Sequence, residues 1–322
     1  MWSSSKVVRL MLALFTAGCC AVSPVDEPRD LRLTLGVVSD IHIDSLPGDR
    51  GTSGDTAVFE KALRWFDEQG VDGVVVAGDM ADNGLIAQLE KVGAAWFRVF
   101  PDGRSARDGR KVEQLFIYGN HDYEGWSYDG FDKQFPDKAA FKALQIRSDP
   151  VKVWKDVFRE DYAPIWMKDV NGYQIIGAHW KFGANSWDGT PRVEKWFKEN
   201  ADRIDRTKPF FFIQHPHPQG TVYGAHPSCS DKGYATRALL AFPNAIAISG
   251  HSHVSITNPA TLWRGAFTSI GASSLRYGYE PDKIHVDRRE GLLIRLYGKS
   301  LVIERRDFVR DCRLGDDWVL DL

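Results

Sequence analysis

The sequence predicts an α/β fold. Three features carry that reading. From Leu31 onward, short apolar, often β-branched runs alternate with longer segments of helical period. Apolar residues make up 43% and charged residues 26% of the 322, the balance of an ordinary folded domain rather than of a disordered or fibrous chain. Chemistry-bearing Asp, Asn and His residues cluster immediately after the strand-like runs.

The elements follow in order. Residues 1–30 read as a signal peptide and leader, with positive Lys6 and Arg9 and a stretch from Val7 to Val22 that is apolar apart from Arg9 and Thr16. The uninterrupted apolar part is too short to span a bilayer, so no transmembrane helix is expected in the mature protein. Thr16-Ala17-Gly18-Cys19 resembles a bacterial lipoprotein processing box, with Thr16 where leucine is usual. Lipid anchoring at Cys19 and simple cleavage near Ala21 both fit. Either implies an exported protein, whether periplasmic, secreted or held at the cell surface. Residues 31–322 form one domain, without a linker, repeat or low-complexity tract.

Strands are expected at Leu33–Val38, Gly73–Ala77, Leu115–Tyr118, Tyr173–Ala178, Phe210–Gln214 and Ala245–Ser249, each short, apolar and bounded by turn or charged residues. Helices are expected at Thr56–Gln69 and Leu85–Phe100, where large apolar residues recur among charges, and at Lys138–Leu144, Val193–Asn200 and Lys232–Phe242. Leu292–Leu296 and Leu301–Glu304 form a hairpin turning at Tyr297-Gly298-Lys299-Ser300. Forty-one basic residues nearly balance 43 acidic ones, which leaves no field to hold nucleic acid. Cys229 and Cys312, the cysteines of the body, either pair or stay free thiols.

Asp40-Ile41-His42 follows the first strand, Gly78-Asp79 the second, Gly119-Asn120-His121-Asp122 the third, His215 the fifth and Gly250-His251-Ser252-His253 the sixth. In α/β sheets the carboxyl ends of strands form the ligand crevice, so these clusters can converge. Asp40, Asp79, Asn120, His42, His215, His251 and His253 supply carboxylate, amide and imidazole ligands, enough for two divalent ions sharing one carboxylate. Such donors suit manganese, iron, zinc or nickel, and no thiolate is present to close a structural zinc site. Two ions about 3.5–4 Å apart would activate a water between them and neutralise a phosphoryl group during in-line attack. Any one cluster alone reads more simply as a cap, a turn or a surface histidine. Coincidence at five strand ends is the informative signal.

The ordered blocks D-x-H, G-D, G-N-H-[DE], H and G-H-x-H resemble the calcineurin-like metallophosphoesterase family, from Leu33 to about Phe308. The resemblance implies a four-layer α/β/β/α sandwich of the metallophosphoesterase type and a phosphoester substrate, monoester or diester. It implies that Asp40, His42 and His253 hold one metal, that Asn120, His215 and His251 hold the other, and that Asp79 bridges. His121 would assist the leaving group, and Asp122 would orient its ring. Purple acid phosphatases, a related branch, carry a tyrosine three residues after the bridging aspartate and lack the first-block histidine. Here those places hold Asp82 and His42, which argues against a tyrosinate-coloured ferric centre.

His217 is the alternative to His215 in His215-Pro216-His217-Pro218. His179, flanked by Trp180, reads as a core histidine or one lying behind the ligands. Thr221–His226 and Tyr123–Trp126 are either substrate walls or ordinary packed loops. A catalytically silent surface binding or scaffold protein with the same fold is the second functional hypothesis, and the intact ligand set weighs against it.

Overall fold

The computed structural model describes residues 30–45, 54–180, 191–225, 229–280, 284–298 and 300–322. The expected leader with Cys19, and His226 and Lys299, lie outside the described residues. In chain order the elements are β1 (Leu31–Val38), α1 (Gly54–Glu68), β2 (Gly73–Val76), α2 (Ile86–Val99), β3 (Glu113–Phe116), α3 (Asn120–Glu124), α4 (Lys138–Ala143), α5 (Pro150–Phe158), β4 (Ile165–Val170), β5 (Tyr173–Ala178), α6 (Pro191–Glu199), β6 (Phe210–Gln214), α7 (Tyr234–Leu239), β7 (Ala245–Ser249), β8 (Leu262–Arg264), β9 (Thr268–Gly271), β10 (Gly278–Tyr279), β11 (His285–Val286), β12 (Glu290–Tyr297), β13 (Ser300–Asp307), β14 (Cys312–Arg313) and β15 (Trp318–Asp321). Short 3-10 turns connect several of them.

Two sheets hold the chain together. The first runs β14-β13-β12-β1-β2-β3, with β15 also paired to β13, and the second runs β4-β5-β6-β7-β9-β8. β1, β2 and β3 are mutually parallel, in register Val37–Val75 and Val75–Leu115. β5, β6, β7 and β9 are likewise parallel. The C-terminal hairpin folds back antiparallel, β12 on β1 with Leu35 opposite Ile294, so residues 31–38 and 290–307 belong to one sheet.

Alternation decides which faces are buried. Leu33, Leu35, Val37, Val75, Leu115 and Ile294 of the first sheet meet Ile175, Phe211, Ile213, Ile246 and Ile248 of the second in the central core. The opposite face of the first sheet, with Val74, Val76 and Phe116, is covered by Phe59, Leu63 and Phe66 of α1 and by Leu89, Val92 and Trp96 of α2. A side chain at Gly36 would strike the Phe66 ring, which therefore lies directly on β1. Phe210 and Phe212 on the outer face of the second sheet pack on Phe197 of α6 and Leu239 of α7. The result is a four-layer α/β/β/α sandwich. Among the described residues no helix is long and apolar enough to cross a membrane.

Some elements differ from expectation for identifiable reasons. β3 begins and ends two residues early: the Ile117 amide still donates to the Val76 carbonyl of β2, but the Tyr118 amide turns to His179 Nδ1 and the ladder stops there. α7 starts at Tyr234 rather than Lys232, after Gly233 in the left-handed region at φ 79°. α5 was not expected; Asp149 caps it by accepting from the Lys152 amide, with Pro150 at its first position. Among the described residues no disulfide joins Cys229 to Cys312.

Candidate metal centre

Asp40 and His42 lie just beyond β1, Asp79 beyond β2, Asn120 and His121 at the start of α3 beyond β3, His215 beyond β6, and His251 and His253 beyond β7. The parallel strands of both sheets thus end at one rim. The turn after β1 is zipped to the turn after β2 by backbone bonds from Asp40 to the Gly78 carbonyl and from His42 to the Asp79 carbonyl, both 3.0 Å. Sharp turns aim the side chains. Asp40, His42, Asp79, His251 and His253 all sit at positive φ, between 49° and 71°. A non-glycine residue in that region costs on the order of 1–3 kcal/mol and persists where surrounding structure imposes it.

The glycines of the motifs clear space for these ligands. A Cβ at Gly78 would meet the His215 ring 2.5 Å from Nδ1, one at Gly119 would overlap Asp79, and one at Gly250 would overlap Ser39 and crowd the Asp40 carboxylate. Of the three, Gly78 also needs its φ of 100°.

Three groupings bring ligand atoms together: Asp40, His42 and His253; His42, Asp79 and His121; and Asp79, His215 and His251. Asp40 Oδ1 is 3.0 Å from His253 Nε2, and Asp79 Oδ2 is 3.0 Å from His215 Nε2 and 3.8 Å from His42 Nε2. Asp79 therefore sits between the groups. Asn120 is buried; its Nδ2 donates to the Tyr128 hydroxyl at 3.2 Å while its Oδ1 has no partner among the described residues. An orphaned buried amide oxygen beside such a cluster fits a cation.

The histidines are held in tautomers that suit metal binding. His215 Nδ1 donates to the Ala77 carbonyl at 2.7 Å, which leaves the Nε2 lone pair toward Asp79. His42 Nδ1 faces Asp82 Oδ1 at 2.9 Å, which leaves Nε2 toward Asp40 and His253. In the absence of a cation the clustered acids hold protons on these rings. Burial, the largest influence, opposes charge on His42, yet hydrogen bonds to Asp40 and Asp82 and the charge of Asp79 push it up to about 10. Burial likewise opposes charge on His215, but the Asp79 charge and hydrogen bond take it to about 9. His251 is pushed down to about 3 by burial and by the nearby His215 charge.

His217 lies outside the groupings, with Nδ1 2.6 Å from Ser249 Oγ and Nε2 2.8 Å from Ser252 Oγ; of the two histidines it is His215 that the fold brings to Asp79. His179 is buried among Tyr118, Trp154 and Tyr162, away from the ligands. Asp122 is not placed on the His121 ring. Its two oxygens accept from the Ala81 and Gly119 amides at 2.8 and 2.7 Å, and burial followed by the Asp79 charge pushes its carboxyl up to about 7. It fastens the second strand's turn to the third's.

His121 is held instead by Asp82, whose carbonyl accepts from Nδ1 at 2.8 Å. That bond leaves Nε2 as the nitrogen able to exchange a proton, and burial, the largest influence, lowers the pKa of the ring. Asp82 thus touches both His42 through its carboxylate and His121 through its backbone, a role the sequence reading missed. Its place three residues after Asp79 shows in the sequence only that no tyrosine stands there.

Above the rim lies a cleft of about 540 Å³, walled by His121, Tyr128, Phe131, Arg276, Tyr277 and Tyr279 along with the ligands. Of Tyr123–Trp126, expected as a substrate wall, Gly125 lines the cleft while Tyr123 is buried in the core, and Tyr128 and Phe131 extend the wall. Thr221 and Val222, from the other expected wall, are buried as well.

Two packed sheets with acid and imidazole side chains gathered at the strand ends define an α/β/β/α sandwich that carries a candidate metal centre. The chain belongs to the calcineurin-like phosphoesterase family, whose description matches residues 33–255 and so spans every candidate ligand. Among solved structures it is similar to a dimetal phosphatase from Danio rerio, at 12% identity and TM-score 0.51, covering 91% of this chain and 99% of that one. It is also similar to a purple acid phosphatase from yellow lupin seeds, at 14% identity and TM-score 0.55, covering 90% of this chain and 53% of that one. At such identities the likeness is one of fold. No curated protein sequence matches.

Proposed function

We propose that the protein is a two-metal phosphoesterase, with Asp40, His42 and His253 holding one divalent transition-metal ion, Asn120, His215 and His251 the other, and Asp79 serving both. The supporting observation is the convergence of these side chains on Asp79, with the Asn120 amide oxygen unpartnered beside them. The chemistry that such a bound pair supplies is neutralisation of phosphoryl charge and activation of water for in-line attack on phosphorus. Asp82 orients His42 and His121. His121, with Nδ1 engaged by the Asp82 carbonyl, would present Nε2, when protonated, as the proton donor to the departing ester oxygen. The buried Asp122 keeps the Asp79 and Asn120 turns together.

Reconstitution with manganese or another divalent ion should give hydrolysis of aryl phosphate esters that a chelator abolishes. A metal-loaded protein that turns over nothing on a broad phosphoester panel would instead support a silent binding protein on the same scaffold. Export is part of the proposal and rests on residues 1–30; fractionation of the full chain, with and without Cys19→Ala, distinguishes lipid anchoring from release.

A further inference from the structure

The cleft above the ligands is electrostatically lopsided. Among the described residues that line it, Arg276 is the one arginine or lysine. Its position is fixed from two directions. Buried Ser274 donates its hydroxyl to the Asp40 carbonyl at 3.0 Å and accepts from the Arg276 amide at 2.8 Å, so the Arg276 backbone is stapled to a ligand-bearing turn. The Leu275 amide donates to the Ser39 carbonyl, and Ser273 is held at φ 59°. At the other end, Arg276 Nη2 donates to Asp44 Oδ2 at 2.5 Å. The next residue, Tyr277, packs on the His253 ring at 4.7 Å between centroids. His121 and Tyr128, whose rings are 4.7 Å apart, mark another part of the wall, where a leaving alcohol would depart.

We infer that Arg276 binds the third non-bridging phosphoryl oxygen of the substrate and makes this enzyme selective for phosphomonoesters over phosphodiesters. The inference rests on the two-metal reading of the site. A monoester presents three non-bridging oxygens and close to two negative charges, whereas a diester presents two oxygens and one charge. Were the two metals to hold two of these oxygens, the monoester alone would have a third charged oxygen to offer Arg276. A guanidinium has five donors in a planar fork, so it can keep Asp44 and also serve phosphate.

The test uses the manganese-loaded full chain and two esters with one leaving group, p-nitrophenyl phosphate and bis(p-nitrophenyl) phosphate. Arg276→Gln should lower kcat/KM for the monoester by about ten- to a hundredfold, the range of one charge-assisted hydrogen bond, and change the diester less than about threefold. Arg276→Lys, which keeps the charge without the fork, should fall between. Equal losses on both esters at unchanged metal content, or a wild-type preference for the diester, would overturn the inference. If wild type turns over neither ester, the hydrolase reading fails, and the anion site is judged by calorimetry with inorganic phosphate. Weakening of about tenfold or more in Arg276→Gln supports it, and equal affinity refutes it. Should Arg276→Gln fail to load metal, the same two comparisons are decided on Arg276→Lys.

Discussion

The side chains proposed to bind metal leave the backbone in a conformation that residues with a Cβ disfavour. Five of the seven candidates stand at positive φ, and the glycines at positions 78, 119 and 250 leave room that any side chain would fill. Strain concentrated on donor residues is what a site needs if several turns are to aim at one point. Individual roles follow. His121→Ala should lower turnover by about a hundredfold or more, within the range of a lost general acid or base, while leaving most of the bound metal. His251→Ala should lower both. Equal metal loss in the two variants, measured by elemental analysis, would mean that their roles have been assigned wrongly. Asp82→Ala removes the partner of His42 Nδ1 and should cost about ten- to a hundredfold in metal affinity or activity, the usual effect of losing an outer partner of a ligating histidine. Metal titration of that variant gives the number directly.

At the scale of elements, the site is a property of strand ends, and the strands were the most legible part of the sequence. The runs before Asp40, Asp79, His215 and His251 are buried throughout their C-terminal halves, so they read as continuous apolar segments that break at a ligand. The same property misplaces β3: Leu115 to Tyr118 is uniformly apolar, and nothing in composition marks that the Tyr118 amide turns from β2 to His179. β4 escaped notice because it is half-exposed at a sheet edge and carries Lys168 and Asp169. β8, β10, β11 and β14 are two or three residues long, too short for any period to register. The roles proposed for single residues are legible only as residue types, since whether Asp122 or Asp82 faces a histidine ring depends on the path of a turn. Away from the site, α5 shows a signal that was readable in Asp149-Pro150. Asp149→Ala should destabilise the protein by about 1 kcal/mol, the typical worth of an N-cap, and leave activity unchanged; thermal melting and a rate assay check both halves.

For the molecule as a whole, the four-layer arrangement explains why so many buried polar groups are tolerated at one edge. The central core between the sheets is apolar, and the acids and imidazoles lie beyond the strand ends, where they meet one another rather than hydrocarbon. A cation held as proposed would couple the two sheets, because its donors follow strands of both. Metal loading should therefore raise the melting temperature, by an amount equivalent to about 2.7 kcal/mol when free metal is a hundredfold above its dissociation constant. Calorimetric scans before and after chelation measure it, and no shift would mean that the ligands do not act together across the sheets. The most direct measurement is metal stoichiometry by elemental analysis of the reconstituted full chain. Two divalent ions per chain, with at most one left in Asp79→Asn, is the result predicted from the shared position of Asp79. A protein that retains no metal, or an Asp79→Asn variant that keeps both ions, would contradict the account.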